Sequence, residues 1–182
     1  MVLLGILIFE TFALLWLASH QTAILIPQHL PRDKGTIKID LGSPYSPDYL
    51  TAVAKGDIYT LLNWTPDTID LQYGLLLSRL TPSLYDVQRE ALLVESKTHR
   101  EEGMTQSFYV TRSFVEGNEV TLHGSLVRAT GGREVFRGPA VYKLTYTDSG
   151  GGVLLLAGVS QPNPGEVRAL EKAANTGAPA TN

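Results

Sequence analysis

Residues Val2 to Ser19, reading VLLGILIFETFALLWLAS, carry a single charge, Glu10, in eighteen positions. A helix rising 1.5 Å per residue would take this run about 27 Å, close to the roughly 30 Å hydrocarbon core of a bilayer. Trp16, near one end, suits a membrane interface. The run then passes through His20 and Gln21 into Thr22 to Ile26 and stops at Pro27. Nothing else in the chain restricts its fold as strongly, because this stretch decides which solvent every later residue meets.

Three readings of the stretch compete. A cleaved signal peptide needs a basic leader, an apolar centre of about 7 to 15 residues and a small-x-small cleavage site. Here no Lys or Arg precedes Arg32, and the apolar run is longer. A helix apolar on every face could instead be a buried core helix, but only inside a large protein. One permanent membrane anchor over residues 1–26 is the reading the pattern supports best.

The remainder of the 182 residues allows one domain of ordinary size with its own core. Net charge is -3, with acids and bases interspersed and no Lys/Arg run, so direct nucleic-acid binding is not expected. The absence of cysteine excludes disulfides, thiolate zinc sites and a thiol nucleophile.

Residues 27–46 read as a linker, with Pro27, Pro31, Pro44, Gly35 and Gly42 spaced too closely for a long helix. Ile37 to Leu41 could form a short edge strand within it, and an unstructured spacer fits the composition equally. Three punctuation marks follow: Ser46-Pro47-Asp48, Thr65-Pro66-Asp67 and Thr81-Pro82-Ser83. In each, a hydroxyl can cap unpaired N–H groups and proline suits the first helical position. They predict helices over Pro47 to Leu62, Pro66 to Leu77 and Pro82 to Glu102, with Gly103 stopping the last.

In the first helix Tyr49, Leu50, Val53, Ala54, Ile58, Leu61 and Leu62 make a broad apolar stripe, and Asp48, Lys55 and Asp57 are expected off it. In the third, Leu84, Val87, Ala91, Leu92 and Val94 are expected to pack, with the polar half from Lys97 onward in water. From Ser107 the pattern changes to period two, in segments Phe108 to Val115, Glu119 to Ala129, Glu134 to Thr147 and Val153 to Ser160, cut by glycine turns. Pro139 is expected to mark a bulge or a strand start. The expected architecture is α+β: an N-terminal transmembrane helix, then three helices packed on a four-stranded antiparallel sheet, the domain running over 47–161. Residues 162–182 read as a flexible tail, with one marginal turn of helix at Val167 to Ala174.

A family resemblance enters on these residues. The apolar anchor, Tyr49-Leu50 with Ala52-Val53-Ala54, Asn63-Trp64-Thr65-Pro66-Asp67-Thr68, Ser107-Phe108, Val120 to Leu126, Tyr142-Lys143-Leu144 and Leu156-Ala157-Gly158 together resemble the TraE family of conjugative type IV secretion systems, over roughly residues 2 to 160. The resemblance implies a single-pass inner-membrane protein with a periplasmic domain of the cone-shaped, nuclear-transport-factor-like fold. It implies a structural subunit of the DNA-transfer channel that contacts copies of itself and other channel subunits, with no enzymatic activity and no cofactor. It also implies a short basic cytoplasmic leader, which this sequence lacks, so Met1 is expected to be an internal start or a trimmed end. Charge alone points the other way, since Arg32, Lys34 and Lys38 follow the anchor and none precedes it.

The cone fold also houses enzymes, which need a carboxylate or histidine poised in an enclosed pocket. Glu90, Glu95, His99 and His123 are the candidates. The first three fall in the half of the third helix expected to be wet, and His123 alternates with Leu122, so it is expected to face away from the core. No catalytic residue, cofactor or metal site is therefore expected. The four histidines lack ligand spacing, and the glycine clusters precede no helix.

Glu10 is expected either to pair with another subunit's helix or to sit protonated or snorkelling at the membrane surface. Trp64 is expected either to staple onto the following turn near Leu71 or to anchor a partner. The alternative function, a membrane-tethered protein of this fold acting on a small ligand, demands a deep apolar pocket with convergent polar groups.

Overall fold

A computed structural model describes residues 45–149, 153–163 and 165–166 of the chain. The anchor with Glu10, the linker and most of the tail lie outside the described residues. Among the described residues no helix is long and apolar enough to cross a membrane.

Three helices precede four strands: α1 (Pro47–Leu62), α2 (Ile69–Leu77), α3 (Pro82–Glu101), then β1 (Met104–Glu116), β2 (Glu119–Thr130), β3 (Arg133–Asp148) and β4 (Leu154–Ser160). The helices pack on an antiparallel meander of order β1-β2-β3-β4, as the punctuation and periodicity predict. Ser46 starts α1 by accepting the Tyr49 N–H at 3.2 Å, and Thr81 starts α3 by accepting that of Leu84 at 3.4 Å. Gly103, at φ +61°, ends α3.

The second helix starts later than Pro66. The Thr65 carbonyl accepts from both Thr68 and Ile69, while the Thr68 hydroxyl reaches back to the Thr65 N–H at 2.9 Å. That closed turn over Pro66–Thr68 delays the regular helix to Ile69.

Leu50, Ala54, Ile58 and Leu62 of α1, Ile69, Tyr73 and Leu76 of α2, and Leu92 of α3 meet Phe108, Val120, Leu122, Leu144, Tyr146, Leu154 and Leu156 of the sheet in one core. Both sheet edges are partly closed from the helical side. Trp64 and Gln106 exchange two backbone hydrogen bonds of 3.0 Å beside β1. Arg79 and Thr81 do the same with Leu156 of β4, at 2.8 and 2.9 Å. Covering an edge in this way removes a template for uncontrolled strand pairing.

The hairpin turns follow their glycines. Gly117 alone has positive φ between β1 and β2, whereas Gly131 and Gly132 both do between β2 and β3, matching II′-like and I′-like loops. Pro139 marks neither a bulge nor a strand start: it pairs in register with Ser125. It falls where β3 is paired on one side only, since β4 meets β3 only from Lys143 onward, so the missing N–H can be tolerated. The breaks in register fall elsewhere, at Thr111, Val135 and Ala157.

Two expectations about facing are corrected. Along α3 the inward face is Leu84, Gln88, Leu92, Ser96 and His99, with Leu92 and Ser96 buried, whereas Val87, Ala91 and Val94 are exposed. The polar half expected in water from Lys97 onward thus contributes His99 to the interface. The Asn163 Oδ1 accepts the N–H groups of Gly165 and Glu166, and the Asn163 N–H donates in return to Glu166 Oε2, all at 3.0 Å. This reciprocal cap is written in the sequence as Asn-Pro-Gly-Glu.

Candidate functional site

Two polar clusters occupy the seams between the helices and the sheet. The first centres on Asp57, which was expected off the apolar stripe of α1 and is instead 6 % exposed. Its position, three residues after Ala54 and one before Ile58, puts it on the buried side of the helix. Burial of a carboxylate is costly unless it is hydrogen-bonded. Arg79 satisfies it in fork geometry, Nε to Oδ1 at 3.0 Å and Nη2 to Oδ2 at 3.2 Å, and the Tyr146 hydroxyl donates to Oδ2 at 3.0 Å. The cluster ties α1, the α2–α3 connection and β3 together. Burial, and then the charge and hydrogen bond of Asp57, hold the Tyr146 phenol well above its ordinary pKa. Burial pulls the Arg79 guanidinium down, but the hydrogen bonds and charge of Asp57 outweigh it and leave it raised.

The second cluster surrounds Trp64. Its ring is buried, at 3 % exposure, and stacks on His99 with centroids 4.9 Å apart and planes 20° from parallel. Its Nε1 donates to the Leu61 carbonyl at 3.2 Å. Leu71, the expected staple partner, is 65 % exposed, and the ring Trp64 stacks on is His99 of α3. The His99 ring lies between two carboxylates, Nε2 3.3 Å from Glu95 on its own helix and Nδ1 3.4 Å from Glu102 at the helix C-cap. Burial and the neighbouring Glu95 raise the Tyr73 phenol. Gln106, also buried, donates to the Leu62 carbonyl at 3.3 Å and accepts from Arg128 Nε at 2.7 Å. The Asn63 side chain accepts the Phe108 N–H at 2.6 Å.

The structure therefore brings Glu95 and His99 together and leaves Glu90 apart and exposed. His123 lies on the face opposite Leu122, as alternation requires, but that face is not wet there. His123 is 5 % exposed, with Phe114 packed edge-on 5.3 Å away. Among the described residues no three His, Asp or Glu side chains gather as a metal site would require. The polar groups of both clusters bond to one another and to backbone carbonyls, which suits them to fixing the helices on the sheet. Of these residues, Asp57 carried a readable signal in its stripe position, while its partner Arg79, 22 residues away, carried none.

Outside the clusters, several apolar side chains of α2 and α3 are exposed among charged neighbours. Leu71 and Leu75 of α2 are 65 % and 52 % exposed, and Val87, Leu93 and Val94 of α3 are 71 %, 53 % and 62 % exposed. The sheet exposes Tyr109, Val135 and Phe136 as well, and exposed apolar side chains mark contact surfaces where they are contiguous.

Comparison with known proteins bears on family and fold. A family model described as TraE protein matches residues 1–161. A TraE protein solved in complex with 2-(2-furyl)isonicotinic acid superposes with a TM-score of 0.53 at 8 % identity, over 65 % of this chain and 97 % of that one. A TraE protein in complex with 2-chloroisonicotinic acid gives 0.52 at 9 %, over 65 % and 98 %. VirB8 of Agrobacterium tumefaciens gives 0.47 at 12 %, over 66 % and 98 %. At these identities the likeness of the two TraE structures is one of fold. A search of curated proteins finds no match.

Proposed function

The chain belongs to the TraE family, and on that premise we propose that it is a structural assembly subunit of a type IV secretion channel that transfers DNA by conjugation. It is held in the bacterial inner membrane by residues 1–26, stands in the periplasm as a three-helix, four-strand domain, and acts by contacting itself and other channel subunits. It performs no catalysis.

The observation that carries this reading is the division of the domain into a satisfied interior and an apolar helical surface. Asp57, Gln106 and His99, which could have served chemistry, are engaged with protein partners. Leu71, Leu75, Val87, Leu93 and Val94 lie open on α2 and α3. Burying such side chains against another protein supplies the hydrophobic driving force for assembly. Glu10 then serves as a contact between anchors, because an ionisable group at bilayer depth gains most from a partner helix.

Deleting the chain from a donor strain tests this. DNA transfer to a recipient is expected to stop and to return on supplying the full-length chain. Undiminished transfer by the deletion strain would overturn the reading. A reporter fused after Asn182 is expected to be active only outside the cytoplasm, and Glu10→Ala is expected to reduce copurification with the other subunits.

A further inference from the structure

The exposed face of α3 carries a repeat that its packing does not use. Leu84, Val87, Ala91, Val94 and Thr98 follow one another at intervals of three, four, three and four residues. That is the a/d spacing of a coiled coil. The inward face of α3 runs instead through Leu84, Gln88, Leu92, Ser96 and His99, so only Leu84 belongs to both. Val87 and Val94 are 71 % and 62 % exposed, and Ala91 and Thr98 are exposed with them. A knobs-into-holes seam thus faces outward.

The charges flanking the seam choose the occupant and its direction. Glu90 and Lys97 occupy equivalent positions one heptad apart on the same side of the seam, and both are exposed. If a second copy of α3 lies antiparallel so that Ala91 meets Val94 of the second copy, Val87 meets Thr98. Glu90 then meets Lys97 of the second copy, and two-fold symmetry makes this pair twice. Sliding the helices by one heptad, so that Val87 meets Ala91, would set Glu90 against its own symmetry mate. A parallel pair would set Glu90 beside Glu95 of the second copy. Both alternatives are repelled by like charge. Lys97 is free to turn, since its contact with Glu101 is a 4.0 Å pair between side chains 78 % and 68 % exposed.

We infer that α3 pairs with α3 of a second copy of this chain as a short antiparallel coil, centred on Ala91 and Val94 and fixed in register by two Glu90–Lys97 pairs. This rests on the assembly reading above. Two heptads make a small interface, so the pairing depends on the high local concentration of copies held side by side in one membrane.

The absence of cysteine makes the seam directly addressable. In cells assembling the channel, two differently tagged full-length copies, one Ala91→Cys and one Val94→Cys, are expected to give a mixed disulfide under mild oxidation. The yield is expected to be at least tenfold above that of an Arg89→Cys pair, which lies off the seam. Adding Glu90→Lys to both copies is expected to lower the yield severalfold. Adding Glu90→Lys to one copy and Lys97→Glu to the other is expected to restore it. All these positions are exposed, so the domain still folds. Equal yields at Arg89, or a yield indifferent to charge, overturn the pairing. If tagged and untagged copies nevertheless copurify with channel subunits, the assembly reading stands and another face does the joining. If the disulfide forms as expected but no other channel subunit is recovered, the pairing stands and the channel reading falls.

Discussion

Gly124 sits in the central strand under a close neighbour. A Cβ at this position would lie 2.6 Å from the Phe108 ring and collide with the Tyr109 carbonyl. Phe108 fills the space that the glycine leaves, and itself meets Tyr142 edge-on at 5.2 Å. Gly124→Ala should therefore destabilise the domain by about 1–3 kcal/mol in denaturant titration. Combined with Phe108→Leu, the loss should be smaller than the sum of the two. Asp57 carries a different kind of constraint. Asp57→Asn should cost about 2 kcal/mol, because a charged acceptor of three hydrogen bonds is lost from a buried site. Arg79→Met should cost at least as much, because it leaves the buried Asp57 carboxylate without its charged partner, and the double variant should again lose less than the sum. The stripe of α1 contained the hint of Asp57's burial, since position 57 falls seven residues after Leu50 and three after Ala54. Its polarity argued for water, and the partners that reversed this lie far away in sequence.

Elements were more legible than their faces. Two of the three proline-marked caps, Ser46 and Thr81, stand where a helix begins, because capping is local chemistry that tertiary packing seldom overrides. Even Pro66, where regular helix is delayed, opens the turn that leads into α2. Ser46→Ala should accordingly fray α1 and cost about 1 kcal/mol. The meander was readable for the same reason, from glycine turns and period two. Facing along α3 was not. Its stripe of Val87, Ala91 and Val94 has the spacing of a packed face, yet of the expected residues the domain buries Leu92, and it adds Ser96 and the half-buried His99. The stacking of His99 on Trp64 and the ladder between Trp64 and Gln106 set the rotation of the helix, and both are long-range contacts. The buried side of His123 was hidden similarly, because alternation gives the face of a strand but not what covers it.

At the scale of the molecule, the connections between the helices partly cover both edges of one sheet, over a core that holds Tyr73, Tyr142 and Tyr146. Burial foremost raises the phenols of Tyr73, Tyr142 and Tyr146 above their ordinary pKa of 10.0. The sign follows from linkage. The neutral phenol is favoured in the folded state, so this contribution is complete below about pH 10, where the unfolded chain begins to ionise. It is lost progressively as pH rises beyond that value. The domain should hold its circular dichroism up to that region and then unfold cooperatively. Phenolate absorbance from the buried tyrosines should appear with unfolding and not before it.

The claim that organises these features is that the apolar helical surface exists for assembly inside a secretion channel. Crosslinking the tagged full-length chain in membranes of a strain that assembles a complete channel, then purifying it under denaturing conditions, measures this most directly. The account predicts that other channel subunits are recovered in covalent complex with it, and that Val87→Asp with Val94→Asp reduces them. Recovery of the protein alone from such a strain would contradict the account.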